Sequence, residues 1–323
     1  MRYYEPADKN AIDEVRNVMR YLTGISGKRI ITGQHTQTMA MEELHHIRSV
    51  TGKEPALLGF ELLSYSPNIN YLSTDEECMK EVEENRGTLQ RALEWAEKGG
   101  LITMTWHWFS PLGGRSKAFF TCNTDFDASR VLIEGTPERA AFFADMDVMA
   151  GLLRPFCDRH IPILWRPFHE SEGDWFWWSA KGPEIARQLY RLMFRHFTEE
   201  RRLHNLIWVW NSPLAEGYPG DDTVDIISRD MYPPAHEHTS RRAEYEELIR
   251  ITPSEKIAAV AETGVIPDPA AVVNEGAAWT YYMTWSHGFC LGEEFNTSEK
   301  LKEVYDSEYS VTLERLPKLY GIV

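Results

Sequence analysis

Apolar and polar positions fall in repeating blocks along this chain. Apolar runs of strand length occupy residues 29–32, 56–60, 101–107, 161–167, 206–210, 224–230, 257–261 and 279–284. They are rich in Ile, Val, Trp and Tyr, and most are apolar almost without interruption. That is the mark of parallel strands buried on both faces. Helical patterns fill the gaps, at 39–50, 78–98, 137–159, 183–200, 241–251, 269–275 and 298–305. The second stops at Gly99-Gly100, and the third starts with Thr136 as N-cap and Pro137 in the first helical position. The gap at 211–223 has room for a short helix only, and an extra helix at 11–21 precedes the first strand.

Eight strands alternating with helices predict an α/β chain folded as a single (β/α)8 TIM barrel of parallel strands. No Pro/Gly/Ser linker, repeat or low-complexity tract divides it, so residues 1–323 read as one catalytic domain. An open doubly wound sheet competes, but it would carry a glycine-rich phosphate turn after its first strand. Gly33-Gln34-His35 is not one.

Charge narrows the partners. The formal net charge is −15, from 34 Lys+Arg against 49 Asp+Glu. A phosphate backbone would be repelled, which argues against nucleic acid. No apolar run approaches the ~20 residues that span a bilayer. The opening MRYYEPADKN has no apolar stretch of the kind a signal peptide needs. Cys78, Cys122, Cys157 and Cys290 include no C-x-x-C pair, so no zinc or redox motif is read, and a disulfide stays open. Eleven tryptophans fit either sugar stacking or a large aromatic core.

A parallel barrel carries its active site at the C-terminal ends of its strands. Those ends read Gln34-His35, Trp106-His107-Trp108, Arg166 to Glu170, Trp210-Asn211, Asp230-Met231-Tyr232, Glu262-Thr263-Gly264 and Trp285-Ser286-His287. Two carboxylates, Glu170 and Glu262, each close an apolar strand. Either alone could be a solvated strand end. Together, on strands three apart, they suit the two carboxyls about 5–5.5 Å apart that retaining glycosidases place across the scissile bond. Glu170, followed by Trp175, Phe176, Trp177 and Trp178, is the expected general acid/base, with an apolar wall to raise its pKa. Glu262 is the expected nucleophile, kept ionised by donors such as Tyr232 and Arg166. Among the five aromatics Trp175, Phe176, Trp177, Trp178 and Trp285, at least two should pack inward. His35, His107 and His169 could instead bind a catalytic metal, although the first strand lacks a His-x-His pair.

At these residues the chain resembles glycoside hydrolase family 26. The segment LWRPFHE, Leu164 to Glu170, followed by WFWW, is similar to that family's acid/base signature. AETG, Ala261 to Gly264, is similar to its nucleophile motif. GQH, WHW, DMY and the tryptophan of residues 282–285 extend the resemblance over nearly the whole barrel. It implies retaining hydrolysis of β-1,4-mannosidic bonds in mannan, glucomannan or galactomannan, with no cofactor and no metal. Mixed-linkage β-glucan, β-1,3-xylan and exo attack on manno-oligosaccharides are the alternatives within it. It further implies that His107, His169, Trp175 and Tyr232 contact the sugar or orient the glutamates, and that Trp285 is a stacking platform. Arg166 and Trp108 complete the expected substrate-binding set. The implied partner is a polysaccharide or oligosaccharide, with no obligate protein partner. Secretion or periplasmic export is implied as well, with the cytoplasm as the alternative. Outside the family, a metal-dependent barrel hydrolase and a non-catalytic sugar-binding barrel remain.

Overall fold

The computed structural model of the protein describes residues 5–37 and 40–321. Among the described residues ten strands form one sheet: β1 (Ile30–Ile31), β2 (Gly33–Thr36), β3 (Leu57–Glu61), β4 (Leu101–Thr105), β5 (Ile163–Arg166), β6 (Leu206–Asn211), β7 (Ile226–Met231), β8 (Ile257–Thr263), β9 (Trp279–Thr284) and β10 (Ser310–Val311). From β2 to β9 each strand pairs in parallel with the next. β9 returns to β2 through Gln34 opposite Thr284, so eight strands close a barrel. Every residue of β3, β4, β5, β6, β8 and β9 is buried, as continuous apolar runs require. β7 is buried at Ile226–Ser228 and half-buried at Arg229, Asp230 and Met231, where it reaches the mouth.

The expected first strand at 29–32 is instead two short strands broken at Thr32. The Thr32 N–H donates outward to the Val311 carbonyl (3.0 Å), while its own carbonyl accepts from Ala56 and Leu57. The chain thus changes partner in mid-strand. Gly33 follows because β9 lies against it: a Cβ there would fall 2.2 Å from the Tyr282 carbonyl oxygen.

The helices ring the barrel. α1 (Asp13–Ile25) is the extra helix before it, and it buries Val15, Val18, Met19 and Leu22 at the spacing of one helical face. Each such side chain is worth roughly 1.5–3 kcal/mol once removed from water. The helix expected at 39–50 is α2 (Glu42–Thr51); Met39 lies outside the described residues. The single helix expected at 78–98 is two, α3 (Glu76–Glu84) and α4 (Thr88–Glu97). Gly87, at φ 82°, breaks them apart, a backbone angle a helix interior cannot contain. α5 (Pro137–Asp158) starts as expected, with Thr136 Oγ1 accepting the Arg139 N–H. α6 (Pro183–Arg195) widens into a π turn over His196–Glu200. The short gap at 211–223 holds one 3-10 turn, Ala215–Gly217. α7 (Arg242–Leu248), α8 (Pro269–Asn274) and α9 (Ser298–Asp306) complete the ring. Among the described residues no helix is long and apolar enough to cross a membrane. All four cysteines are free thiols.

The tryptophans divide cleanly. Nine of the eleven, among them Trp165, Trp208 and Trp279, are fully buried. The two left over are Trp175 and Trp285, both at the mouth.

Candidate active site

β5 leaves the barrel through Pro167 into a bent segment. Phe168 (φ 51°) and Glu170 (φ 53°) both hold left-handed backbone angles. Such angles cost a non-glycine residue roughly 1–3 kcal/mol and persist only where the surroundings fix them. Three contacts do so here. The Glu170 N–H donates to Asn211 Oδ1 (2.7 Å), the Ser171 N–H to the Asn211 carbonyl (3.3 Å), and the Trp178 indole to the His169 carbonyl (2.9 Å). The Glu170 carboxyl accepts from Trp175 Nε1 at 2.8 Å through Oε2.

Glu262, near the end of β8, is 6% exposed. Arg166 NH2 donates to its Oε2 at 2.7 Å, and the Tyr232 hydroxyl donates to its Oε1. Arg166 is itself fully engaged, with NH1 on Asp230 Oδ2 (2.7 Å) and Nε on Thr105 Oγ1 (3.1 Å). Asn211 links the two halves: its Nδ2 donates to Asp230 (2.7 Å) while its Oδ1 holds the Glu170 backbone. Oxygens of Glu170, Asp230 and Glu262 all lie within 4.8 Å of one another.

Three carboxyls thus face one guanidinium, and they cannot all ionise without cost. Burial pushes Glu262 and Asp230 above the usual carboxylate range, and Arg166, touching both, works against that. Glu170 is raised by burial and then by the Asp230 charge, with the Trp175 indole opposing. Of the three, Glu170 alone makes no hydrogen bond to the guanidinium.

A histidine relay flanks the carboxyls. Glu61 accepts both the His107 backbone N–H and its Nδ1–H, each at 2.8 Å. Burial disfavours a charged His107, but Glu61 outweighs it and raises the pKa. His107 Nε2 meets His169 Nε2 in a hydrogen bond of 3.1 Å. His169 is held far below its ordinary pKa by burial and by charged His107 and Arg166, so it stays neutral. His35 is pushed down to about 3, first by burial and then by Arg166. Its Nε2–H meets the Ala261 carbonyl (3.2 Å), and its ring lies 4.9 Å from that of Trp285. It fits only because residue 59 is glycine; a Cβ there would fall 2.2 Å from His35 Nδ1.

Glu170, Glu262, His107, His169, Arg166, Tyr232, Trp175 and Trp285 are therefore brought together at one mouth. Trp175 (41%) and Tyr232 (48%) show their rings to solvent, and Trp285 is half-buried. Trp108, expected among the sugar contacts, is not there. It is 1% exposed, stacks on Trp106 at 4.0 Å, and donates its indole N–H to Asp145 (2.7 Å). It belongs to the wall behind the site. Arg166 and His169 are also buried, beneath the glutamates rather than on the open surface. Of the five aromatics considered together, Phe176, Trp177 and Trp178 pack inward. Glu61, Asn211 and Asp230 were not among the expected functional residues.

His35 Nε2 meets a carbonyl, His107 Nδ1 a carboxylate, and His107 and His169 meet each other through Nε2, while His169 Nδ1 is buried without a partner. Among the described residues the group able to offer three ligand atoms to a metal is Glu170, Asp230 and Glu262. Three oxygens suit a hard cation, but a cation would have to displace Arg166 from two of them. A cavity of about 740 Å³, beside Thr23, Tyr245 and Ile257, opens at the amino end of β8, away from the carboxyls.

A closed parallel barrel with paired carboxyls at the carboxyl ends of its strands is a common frame for enzymes acting on sugars. The chain matches the description Glycosyl hydrolase family 26 over residues 7–315, and it belongs to that family. It is 37% identical over 310 residues to a mannan endo-1,4-beta-mannosidase of Thermothelomyces thermophilus, covering 93% of this chain and 61% of that protein. Two Piromyces relatives bearing the same activity name are each 28% identical and are covered over 52% and 50% of their length. The chain thus spans about half to three fifths of these relatives. Among solved structures it is similar to a Podospora anserina GH26-CBM35 β-(1,4)-mannanase (TM-score 0.87, 34% identity, 96% of this chain and 68% of that one). It is also similar to a β-mannanase from a symbiotic protist of the termite Reticulitermes speratus, complexed with gluco-manno-oligosaccharide (TM-score 0.86, 29% identity, 97% of each chain).

Proposed function

We propose that the protein is a retaining endo-β-1,4-mannanase, with Glu170 as acid/base and Glu262 as nucleophile. The observation that carries the reading is the environment of the pair. Glu262 is held by Arg166, whose charge works against the effect of burial, and by Tyr232. Glu170 sits within 4.8 Å of it with a raised pKa. That spacing favours direct attack, since an inverting pair needs about 6.5–9.5 Å to admit water.

The steps follow. Glu262 attacks the anomeric carbon as Glu170 gives its proton to the leaving glycosidic oxygen, and the C–O bond breaks. Trp175 donates to Glu170 Oε2, so the proton to be given sits on Oε1. Glu170, now a carboxylate, takes a proton from water, whose oxygen attacks the same carbon and releases Glu262. Two inversions give net retention. His107 and His169 support the pair from behind through their mutual hydrogen bond, and Trp285 and Trp175 offer ring faces for stacking.

The mannan assignment rests on the names of the relatives. A polymer substrate is degraded where it lies, so the reading also places the enzyme outside the cytoplasm, which cell fractionation tests. The substrate is tested by a product profile on mannan, glucomannan, mixed-linkage glucan and β-1,3-xylan. The reading expects a rapid fall in viscosity and a mixture of manno-oligosaccharides from the first two. Release of mannose alone would show exo attack, and turnover confined to glucan or xylan would overturn the substrate.

A further inference from the structure

Resting on the assignment of Glu170 as acid/base, we infer that Gly173 is a positioning residue that sets the acid through Trp175. The segment from Glu170 to Trp178 is fixed by its backbone. The Gly173 N–H donates to the Glu170 carbonyl (3.2 Å), closing a turn. Thr121 clamps the next two residues. Its N–H donates to the Trp175 carbonyl and its hydroxyl to the Asp174 carbonyl, both at 2.7 Å. Beyond them Phe120 bridges Phe176, and the Trp177 N–H donates to the Phe119 carbonyl (3.1 Å). The backbone of Trp175 therefore cannot shift, and only its side chain is free to move.

That side chain folds back over residue 173. A Cβ on Gly173 would lie 1.9 Å from Cζ3, 2.1 Å from Cη2 and 2.2 Å from Cε3 of the Trp175 ring. No real Cβ contact is so short. The six-membered half of the indole thus occupies the space a side chain at 173 would fill. With the ring there, Nε1 reaches Glu170 Oε2 at 2.8 Å. Gly173 is not in the left-handed region, so alanine suits its backbone and the demand is purely for space. Trp175 is 41% exposed, so a displaced ring can swing into solvent without disturbing the core. What is lost is the hydrogen bond that favours the ionised acid and marks Oε2 as the oxygen without the proton.

The test is a double-mutant cycle of Gly173→Ala and Trp175→Phe. It is read as kcat/KM on manno-oligosaccharides and on an activated aryl β-mannoside, each with a pH profile. Gly173→Ala should lower kcat/KM roughly 10- to 100-fold on the oligosaccharide and far less on the aryl substrate. It should also move the alkaline limb to higher pH, because the indole no longer favours ionised Glu170. In the Trp175→Phe background, which already lacks the donor, Gly173→Ala should change the limb no further. Parental kinetics for Gly173→Ala, or the same limb shift in both backgrounds, would overturn the proposal. If Gly173→Ala alone does not fold, Gly173→Ala with Trp175→Ala must fold, since the clashing ring is gone; failure of that pair overturns it too. Glu170→Ala is measured in parallel. Were it to show no leaving-group dependence while 173 and 175 remained coupled, the acid assignment would fall and the steric cradle would stand.

Discussion

Arg166 carries the electrostatics of the site, and removing it gives a prediction with a definite sign. Arg166→Met keeps much of the volume and deletes the charge. The residue is 1% exposed and makes three side-chain hydrogen bonds, to Thr105, Asp230 and Glu262. Its loss leaves Asp230 and Glu262 buried with no cation beside them. Breaking a buried pair in this way costs roughly 3–5 kcal/mol near neutral pH, a fall in melting temperature of roughly 4–8 °C for a chain of this size. The cost depends on pH. Both carboxyls already stand above the usual range through burial, against the pull of Arg166. Without that pull their folded-state pKa values rise further above the unfolded ones. The folded variant then binds more protons than the unfolded chain across that window, so its stability falls as pH rises through it. Urea unfolding of both proteins between about pH 5 and pH 8 measures this. The stability gap should be widest at the alkaline end and narrow steadily toward acid. A gap that is absent, or constant across the range, would refute the claim that Arg166 acts by charge. Arg166→Lys should not restore the parent, because a point charge cannot serve three separated acceptors.

Two further outcomes follow from the same geometry. Glu170→Ala should slow substrates with poor leaving groups far more than activated aryl mannosides. In the parent, the alkaline limb of activity should lie above the ordinary carboxylate range, because Glu170 as the proposed acid must be protonated and its pKa is raised; equal losses on both substrates would remove the acid role. Trp285→Ala should lower kcat/KM by about 10-fold or more with little change in melting temperature, whereas Trp108→Ala should cost roughly 3–5 kcal/mol of stability. Calorimetry and kinetics on the two variants separate platform from wall, and a reversed pattern would exchange their roles.

The barrel was legible because parallel strands buried on both faces write themselves as unbroken apolar runs. Glu170 and Glu262 were legible for the complementary reason: a charge that ends such a run has nowhere to sit but the mouth. The break between α3 and α4 at Gly87 was hidden because the apolar pattern carries on past it. Glu61 was missed by one residue, as the run at 56–60 ends at Phe60 although the strand reaches Glu61. Asn211 and Asp230 close their strands visibly. Their bridging role needs the three-dimensional register, which places one amide between the Glu170 backbone and Asp230. Trp108 could have been placed correctly. Side chains alternate at a strand end, so His107 facing the site turns Trp106 and Trp108 to the other side, where they stack.

The central claim is that Glu262 forms a bond to the sugar, and trapping that bond tests it most directly. The parent enzyme would be treated with an activated 2-deoxy-2-fluoro-β-mannoside, which slows the second step, and then digested for peptide mass analysis. The account predicts one fluoromannosyl group per chain, on the peptide carrying Glu262, absent from Glu262→Ala, with the β anomer formed first from a normal substrate. A label on another residue, or the α anomer appearing first, would contradict it.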